Sequence, residues 1–309
     1  MAVNTGYLLP TRERIMEGLH ETGPLLDLAT RAAALRFDSV WVGDSLTARP
    51  RHDPLTLLAA VAGRVPSLTL GTAVLLPALR NPVVLAHQVA TLDRLSEGKL
   101  ILGVGFASDR PNIRAEFAAA GVPWDLRLGR MMEGLRLCKA LWSGEPVDWD
   151  GRWHTTQATV APTPHRPSGP PLWIGGNRTT SLDRAGRFFD GWFPNSPSPE
   201  AFPEKMTHIR NVAAQHGRDP ASISGALYLT VCVNENTPEA EARLDRFLEG
   251  YYGVPAAATR ARQVCYAGGL NGLGEWLAAY ENADATHLVL RFAGDHERHM
   301  EAVARVRGL

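Results

Sequence analysis

Cysteine is scarce in this chain, and neither sign of charge is in excess. Its 309 residues include three cysteines, Cys138, Cys232 and Cys265. They lie far apart, with no CxxC spacing and no neighbouring histidine pair, which excludes a disulfide framework and a cysteine-based zinc motif. An odd set of isolated thiols suits a reducing compartment. Lysine plus arginine total 32 and aspartate plus glutamate total 32, a formal net charge of zero. Nucleic-acid surfaces normally carry a basic excess, so no nucleic-acid partner is expected. No apolar run approaches the ~20 residues of a membrane-spanning helix. The start, Met1-Ala2-Val3-Asn4, lacks the basic and apolar stretches of a signal peptide. The expectation is a cytoplasmic protein without a membrane anchor. There is no HExxH run, no Gly-x-Ser-x-Gly elbow, no GxGxxG and no GK[ST]. Zinc-protease, serine-hydrolase and common nucleotide-loop readings therefore fall away, and no metal site is expected.

What the chain does have is alternation. Short β-rich runs fall at residues 5–9, 39–42, 68–76, 100–104, 172–174, 191–193, 223–233 and 287–291. Helical patterns stand between them. Asp53-Pro54 and Asn81-Pro82 each offer a capping side chain followed by proline in the first helical position. Gly98 suits the left-handed residue after a helix. The spacing of Leu128, Met131, Met132, Leu135, Cys138 and Trp142 predicts a helix over 127–142. Residues 106–126 read as loop and short helix, 147–170 as an irregular proline-rich excursion and 252–270 as loop. Eight strands, each followed by a helix, predict an α/β fold. The expected form is a closed (β/α)8 TIM barrel with insertions after the fourth and seventh strands, in one domain spanning 1–309. A doubly wound open sheet with a small second domain is the rival. In a barrel, function collects at the C-terminal ends of the strands.

The strand-end segments are therefore the candidates. After the second strand come Asp44 and Ser45, then Arg49, Arg51 and His52. These suit either a ligand-lining loop or local turn hydrogen bonds. The three arginines Arg49, Arg51 and Arg291 suit an anionic group, or simple solvation. Residues 70–77 have plain buried-strand composition. Gly105 before Phe106 lets a ligand approach the backbone, or simply turns the chain. Gly175-Gly176-Asn177, between a strand and a helix, is the strongest ligand signal, because backbone N–H groups at a helix start favour a phosphate. His296 and His299 sit among acids on a helix that reads as exposed, and His287 reads as structural. Trp41, Trp173 and Trp192 read as packing.

Several of these segments together resemble the bacterial luciferase-like superfamily. They are residues 70–77, Asn81-Pro82, Ala90-Thr91-Leu92-Asp93, Gly98-Lys99-Leu100, Leu102-Gly103-Val104-Gly105, Pro171 to Asn177, and Asp190-Gly191-Trp192-Phe193. Arg127, Arg130 and Glu133 fit the same pattern, and the likeness spans about residues 5–295. The resemblance implies a barrel binding coenzyme F420 or, alternatively, FMN. It implies a non-proline cis peptide at Ala73–Val74 under the cofactor ring, with Gly105 and Phe106 nearby and Gly175, Gly176 and Asn177 at the cofactor phosphate. Where many relatives have a histidine after the strand-2 acid, this chain has Ser45. The arginine or acid found after the fourth strand in some relatives is replaced by Phe106-Ala107. Asp44 and Ser45 are the candidate catalytic residues, expected to make polar contacts near the reacting atoms.

Three functions follow from the resemblance. The first is F420-dependent hydride transfer to or from a small organic substrate. The second is an FMN-dependent monooxygenase served by a flavin reductase, and the third a flavin-binding protein without catalysis. A homodimer through the helices beside the second and third strands is also expected.

Overall fold

The computed structural model describes residues 3–309. From the start of the chain run β1 (Asn4–Leu8), α1 (Thr11–Met16), α2 (Gly23–Ala34), β2 (Ser39–Val42), α3 (Pro54–Arg64), β3 (Thr69–Leu75), α4 (Pro82–Leu95) and β4 (Leu100–Val104). The caps anticipated in the sequence form. Asp53 accepts from Thr56 N at 2.9 Å, and Asn81 accepts from Val83 N at 2.9 Å. Gly98 has φ +78°, which relieves the chain after α4.

An excursion follows, with α5 (Pro111–Ala119), α6 (Arg127–Leu141), β5 (Val147–Asp150) and β6 (His154–Ala158). The barrel resumes with β7 (Leu172–Ile174), α7 (Thr179–Phe188), β8 (Gly191–Trp192), α8 (Phe202–Gln215) and β9 (Ser224–Val233). A second excursion holds α9 (Thr237–Tyr252), α10 (Ala256–Arg260) and β10 (Cys265–Gly268). The chain then closes through α11 (Leu270–Asn282), β11 (His287–Phe292) and α12 (His296–Arg307).

The ring reads β1-β2-β3-β4-β7-β8-β9-β11 and returns to β1, with every pairing parallel. This is the expected (β/α)8 barrel, with insertions after the fourth and seventh ring strands. Two expectations need correction. Residues 147–158 are not irregular but form the antiparallel hairpin β5–β6. Within 252–270, the stretch read as loop, α10 forms and β10 adds a parallel strand to β9, pairing Cys265 with Thr230.

The barrel interior is filled by an aromatic plug. Trp41 stacks on Trp173 with ring centroids 5.6 Å apart, and Phe193 lies 5.0 Å from Trp41. Leu8, Ile101, Ala226 and Val289 complete the layer. Gly71 makes it possible, because a Cβ there would strike the Trp41 ring. Trp192 stacks on Phe202 at 5.4 Å, so all three tryptophans pack as expected. Ala73, Val74 and Tyr228 rest on the plug and form the floor of whatever lies above it.

His296 and His299 depart from their reading as exposed. His299 is 2% exposed, and its Nε2 accepts from Val233 N at 2.9 Å. His296 Nδ1 hydrogen-bonds the Tyr7 hydroxyl at 2.8 Å. Both rings sit on the inner stripe of α12, so the acids flanking them in sequence point elsewhere. His287 is structural, with Nε2 3.0 Å from Asn4 Nδ2 and its ring 4.8 Å from that of Trp173.

Candidate functional site

A cleft of about 410 Å³ opens at the C-terminal ends of the strands. That volume lies within the ~300–1,000 Å³ usual for small-molecule sites. Asp44, Ser45, Ala73, Val74, Gly105, Phe106, Gly175 and Gly176 all line it, as do Arg49 and Arg51. Asn177 does not line it; its amide donates to Ser196 Oγ at 3.0 Å.

The Ala73–Val74 peptide is cis, as the resemblance implied. The β3–β4 register shifts between Thr72 and Leu75, so the ladder breaks where the cis peptide lies. Gly105 gives Val74 its space, since a Cβ at Gly105 would come within 2.7 Å of Val74 Cγ2. Across the cleft, Gly176 has φ +105°, and a Cβ there would meet Ser181 Oγ at 2.8 Å. Gly175 is different: the nearest atom to an added Cβ would be Phe193 O at 3.4 Å, so its face is open. This turn leads into α7, whose first N–H groups have no side-chain cap. A strand end, an open glycine and an uncapped helix start together make a place where a phosphate gains backbone donors.

Asp44 and Ser45 sit on the cleft wall with their polar atoms engaged. The Asp44 carboxylate, 2% exposed, takes Arg80 Nη1 at 2.5 Å, Arg80 Nη2 at 3.1 Å and Leu76 N at 2.8 Å. Ser45 Oγ donates to Glu116 Oε1 at 2.6 Å and accepts from Arg49 N at 2.9 Å. That same Glu116 oxygen accepts from Leu46 N at 2.5 Å, Thr47 N at 2.9 Å and Ala48 N at 3.2 Å. One carboxylate on α5 thus holds the loop after β2 in shape. Chain separation hid Glu116 and Arg80 from sequence reasoning; nothing local pairs Glu116 with a loop about seventy residues earlier.

Three tyrosines were also missed. Tyr228 on β9, and Tyr251 and Tyr252 at the end of α9, all line the cleft. Burial holds the Tyr228 phenol well above its usual pKa, so it stays protonated. Its hydroxyl has no hydrogen-bond partner among the described residues. Arg291, fully buried on β11, donates to Tyr252 Oη at 3.0 Å and to Thr230 Oγ1 at 2.9 Å.

A closed parallel barrel, a cis-peptide floor and a glycine turn at a helix start define a barrel oxidoreductase of the cofactor-binding kind. A model of the luciferase-like monooxygenase family matches residues 3–309, and the chain belongs to that family.

Among its relatives, the chain is 30% identical to the phthiodiolone/phenolphthiodiolone dimycocerosates ketoreductase of Mycobacterium sp. (strain JLS). That match covers 80% of this chain and 72% of the relative. It is 31% identical to the F420-dependent glucose-6-phosphate dehydrogenase of Mycolicibacterium smegmatis, over 72% of this chain and 68% of that one. In fold it is similar to an F420-dependent secondary alcohol dehydrogenase solved with an F420-acetone adduct. That likeness has a TM-score of 0.84 and 18% identity, and covers 99% and 98% of the two chains. Among the described residues, no helix is long and apolar enough to cross a membrane.

Proposed function

We propose that the cleft binds coenzyme F420 and that the protein, as a single-domain cytoplasmic enzyme, transfers hydride to or from a small organic substrate. The observation carrying this reading is the cis Ala73–Val74 floor facing a glycine turn whose backbone is open to a phosphate. The residues present fit such a group. Ala73 and Val74 would support its ring, Gly105 and Phe106 would flank it, and Gly175 and Gly176 would meet its phosphate, with Asn177 holding the turn through Ser196. When bound, F420 supplies or accepts the hydride. The chain's own residues do the rest.

Asp44 and Ser45, committed to Arg80 and Glu116, hold the loop after β2 against the reacting region. The protonated Tyr228 hydroxyl delivers a proton to substrate oxygen when hydride reaches the adjoining carbon. Pairing of two copies through the helices beside β2 and β3 is part of the proposal.

The family's monooxygenase description favours one second reading, in which reduced FMN and oxygen are used and a flavin reductase is the partner. A fluorescence titration of the purified protein with F420 and with FMN separates the two. Tighter binding of F420 supports the first reading and tighter binding of FMN the second. Binding of neither overturns both, and binding without turnover of any substrate points to carriage of the cofactor.

A further inference from the structure

Four arginines converge on one side of the cleft. Arg12 and Glu13 come from α1, Arg49 and Arg51 from the loop after β2, and Arg291 from β11. Arg12, Arg49 and Arg291 are stacked on the tyrosines of the second excursion. The guanidinium of Arg12 lies 4.6 Å from the Tyr251 ring centre and that of Arg49 lies 4.9 Å from Tyr252. Arg291 lies 4.6 Å from Tyr251 and 5.3 Å from Tyr252. Arg51 Nη2 donates to Tyr251 Oη at 3.3 Å, and its Nε donates to Arg49 O at 3.2 Å.

What this group lacks is counter-charge. Among the described residues, none of the four arginines has a carboxylate within 4.0 Å, although the nearby Arg80 has two. The one acid that reaches them electrostatically is Glu13. Burial raises its pKa, opposed by Arg291, and its Oε1 is enclosed without a hydrogen-bond partner. Burial lowers the pKa of Arg12 and Arg49, whereas against burial the neighbouring tyrosines and Glu13 hold Arg51 and Arg291 above their ordinary value. The Arg49 guanidinium lines the cleft and donates to no described residue. Enclosed cations without counter-charge are costly, and an anion arriving beside Arg49 and Arg51 recovers part of that cost through charge-assisted hydrogen bonds.

The placement is specific. The Arg51 guanidinium lies over the bare Cα of Gly43, where an added Cβ would collide with it and stand 3.4 Å from Ala73 O. The charge is therefore beside the cis peptide. It is also remote from the glycine turn. In the eight-strand ring β1, which leads into Arg12 and Glu13, stands opposite β7, which leads into Gly175-Gly176. One anion-seeking place serves each end of the cleft.

The geometry points to a head-group subsite: Arg49 and Arg51 bind the carboxylate or phosphate of an acidic substrate, and Arg12, Arg291, Tyr251 and Tyr252 position them. This inference rests on reading the cleft as that of an F420-dependent oxidoreductase. It adds that the substrate is a small organic anion whose acid group lies close to the reacting atoms.

The test is calorimetric titration of the F420-loaded protein, at low ionic strength, with inorganic phosphate and separately with butyrate. At least one should bind saturably, and which one binds identifies the head group. Arg49→Gln, which removes a guanidinium that donates no hydrogen bond to a described residue, should weaken that binding by about tenfold, and Arg51→Gln by at least as much. Arg49→Lys should restore part of it. F420 affinity, titrated by fluorescence in each variant, should stay within about threefold of the parent. Failure of both anions to saturate overturns the subsite, as does unchanged anion affinity in folded Arg49→Gln. A large loss of F420 affinity in Arg49→Gln also overturns it, by assigning the cluster to the cofactor's own acid groups. Anion binding by a protein that binds no F420 leaves the subsite standing and removes only the cofactor reading.

Discussion

Arg80 grips both oxygens of Asp44, with Nη1 at 2.5 Å and Nη2 at 3.1 Å, across the entrance from β2 to the cleft. The carboxylate is 2% exposed and the guanidinium 14%. Breaking a nearly dry, bidentate pair from one side is destabilising, although Arg80 would keep the half-exposed Asp53 at 3.1 Å. Asp44→Ala should cost about 1–3 kcal/mol of unfolding free energy, read from urea denaturation. It also strips Leu76 N of its acceptor. The double variant Asp44→Leu/Arg80→Met should cost less than Asp44→Ala alone. A loss below about 1 kcal/mol for Asp44→Ala would show the pair to be incidental.

Gly175 gives a cleaner probe of the phosphate place than Gly176. A side chain at Gly176 is strained by its φ of +105° before any ligand is considered, whereas Gly175 has room for a Cβ. Gly175→Asp should therefore leave thermal unfolding close to the parent and lower F420 affinity by more than about tenfold, by setting a carboxylate against the phosphate. Unchanged affinity would move the phosphate elsewhere. Gly176→Asp should lose both stability and affinity.

Tyr228→Phe removes one oxygen from the cleft and nothing from the fold, since that hydroxyl has no partner among the described residues. If it moves the substrate's proton, kcat should fall by about 10²–10⁴ while F420 affinity and unfolding temperature hold. A kcat within a factor of about three of the parent would remove Tyr228 from the proton path.

Acid stability should be set in part by two histidines. Burial pushes His287 down to about 4, and burial with the neighbouring His299 pushes His296 down to about 4. An unfolded histidine titrates near ~6.5. Below that pH the unfolded chain takes up protons that the folded chain refuses, so stability falls with pH until the folded rings protonate near 4. The slope is at most about 1.4 kcal/mol per pH unit for each ring, and it vanishes above about pH 7. Urea midpoints at about pH 7, 6 and 5 test this. A His287→Gln/His296→Gln variant should be flatter than the parent, and a parent curve already flat in this range would contradict the assignment.

The barrel was legible because its punctuation is local. Proline after Asp53 and Asn81 starts helices, and glycine after β4 and β7 ends strands, within a few residues of the feature each controls. The cis peptide at Ala73–Val74 came from family likeness and not from its own residues, which read as plain core. The hairpin β5–β6 was masked by surrounding prolines, although Val147 and Trp149 do alternate with aspartates as a half-buried strand should. The pairing of β10 depends on β9, over thirty residues away in sequence. His299 was misread from its charged neighbours; the spacing of His299, Met300 and Val303 on α12 carried the correct signal. Arg49, Arg51 and Arg291 were visible as an option, but the tyrosines they contact enter from α9, some two hundred residues beyond Arg51.

Tyr251 and Tyr252 are the last two residues of α9, directly before Gly253 at φ +65°. A helix turns about 100° and advances about 1.5 Å with each residue. Adding or deleting one residue within α9 would swing both rings off the arginines, and a change of a full turn would restore their direction but shift them by about 5.4 Å. The length of α9 thus acts as a phase setting for the cleft. The second excursion can vary in sequence along its outer face, but not in the length of α9, if the same end of the substrate is to be met.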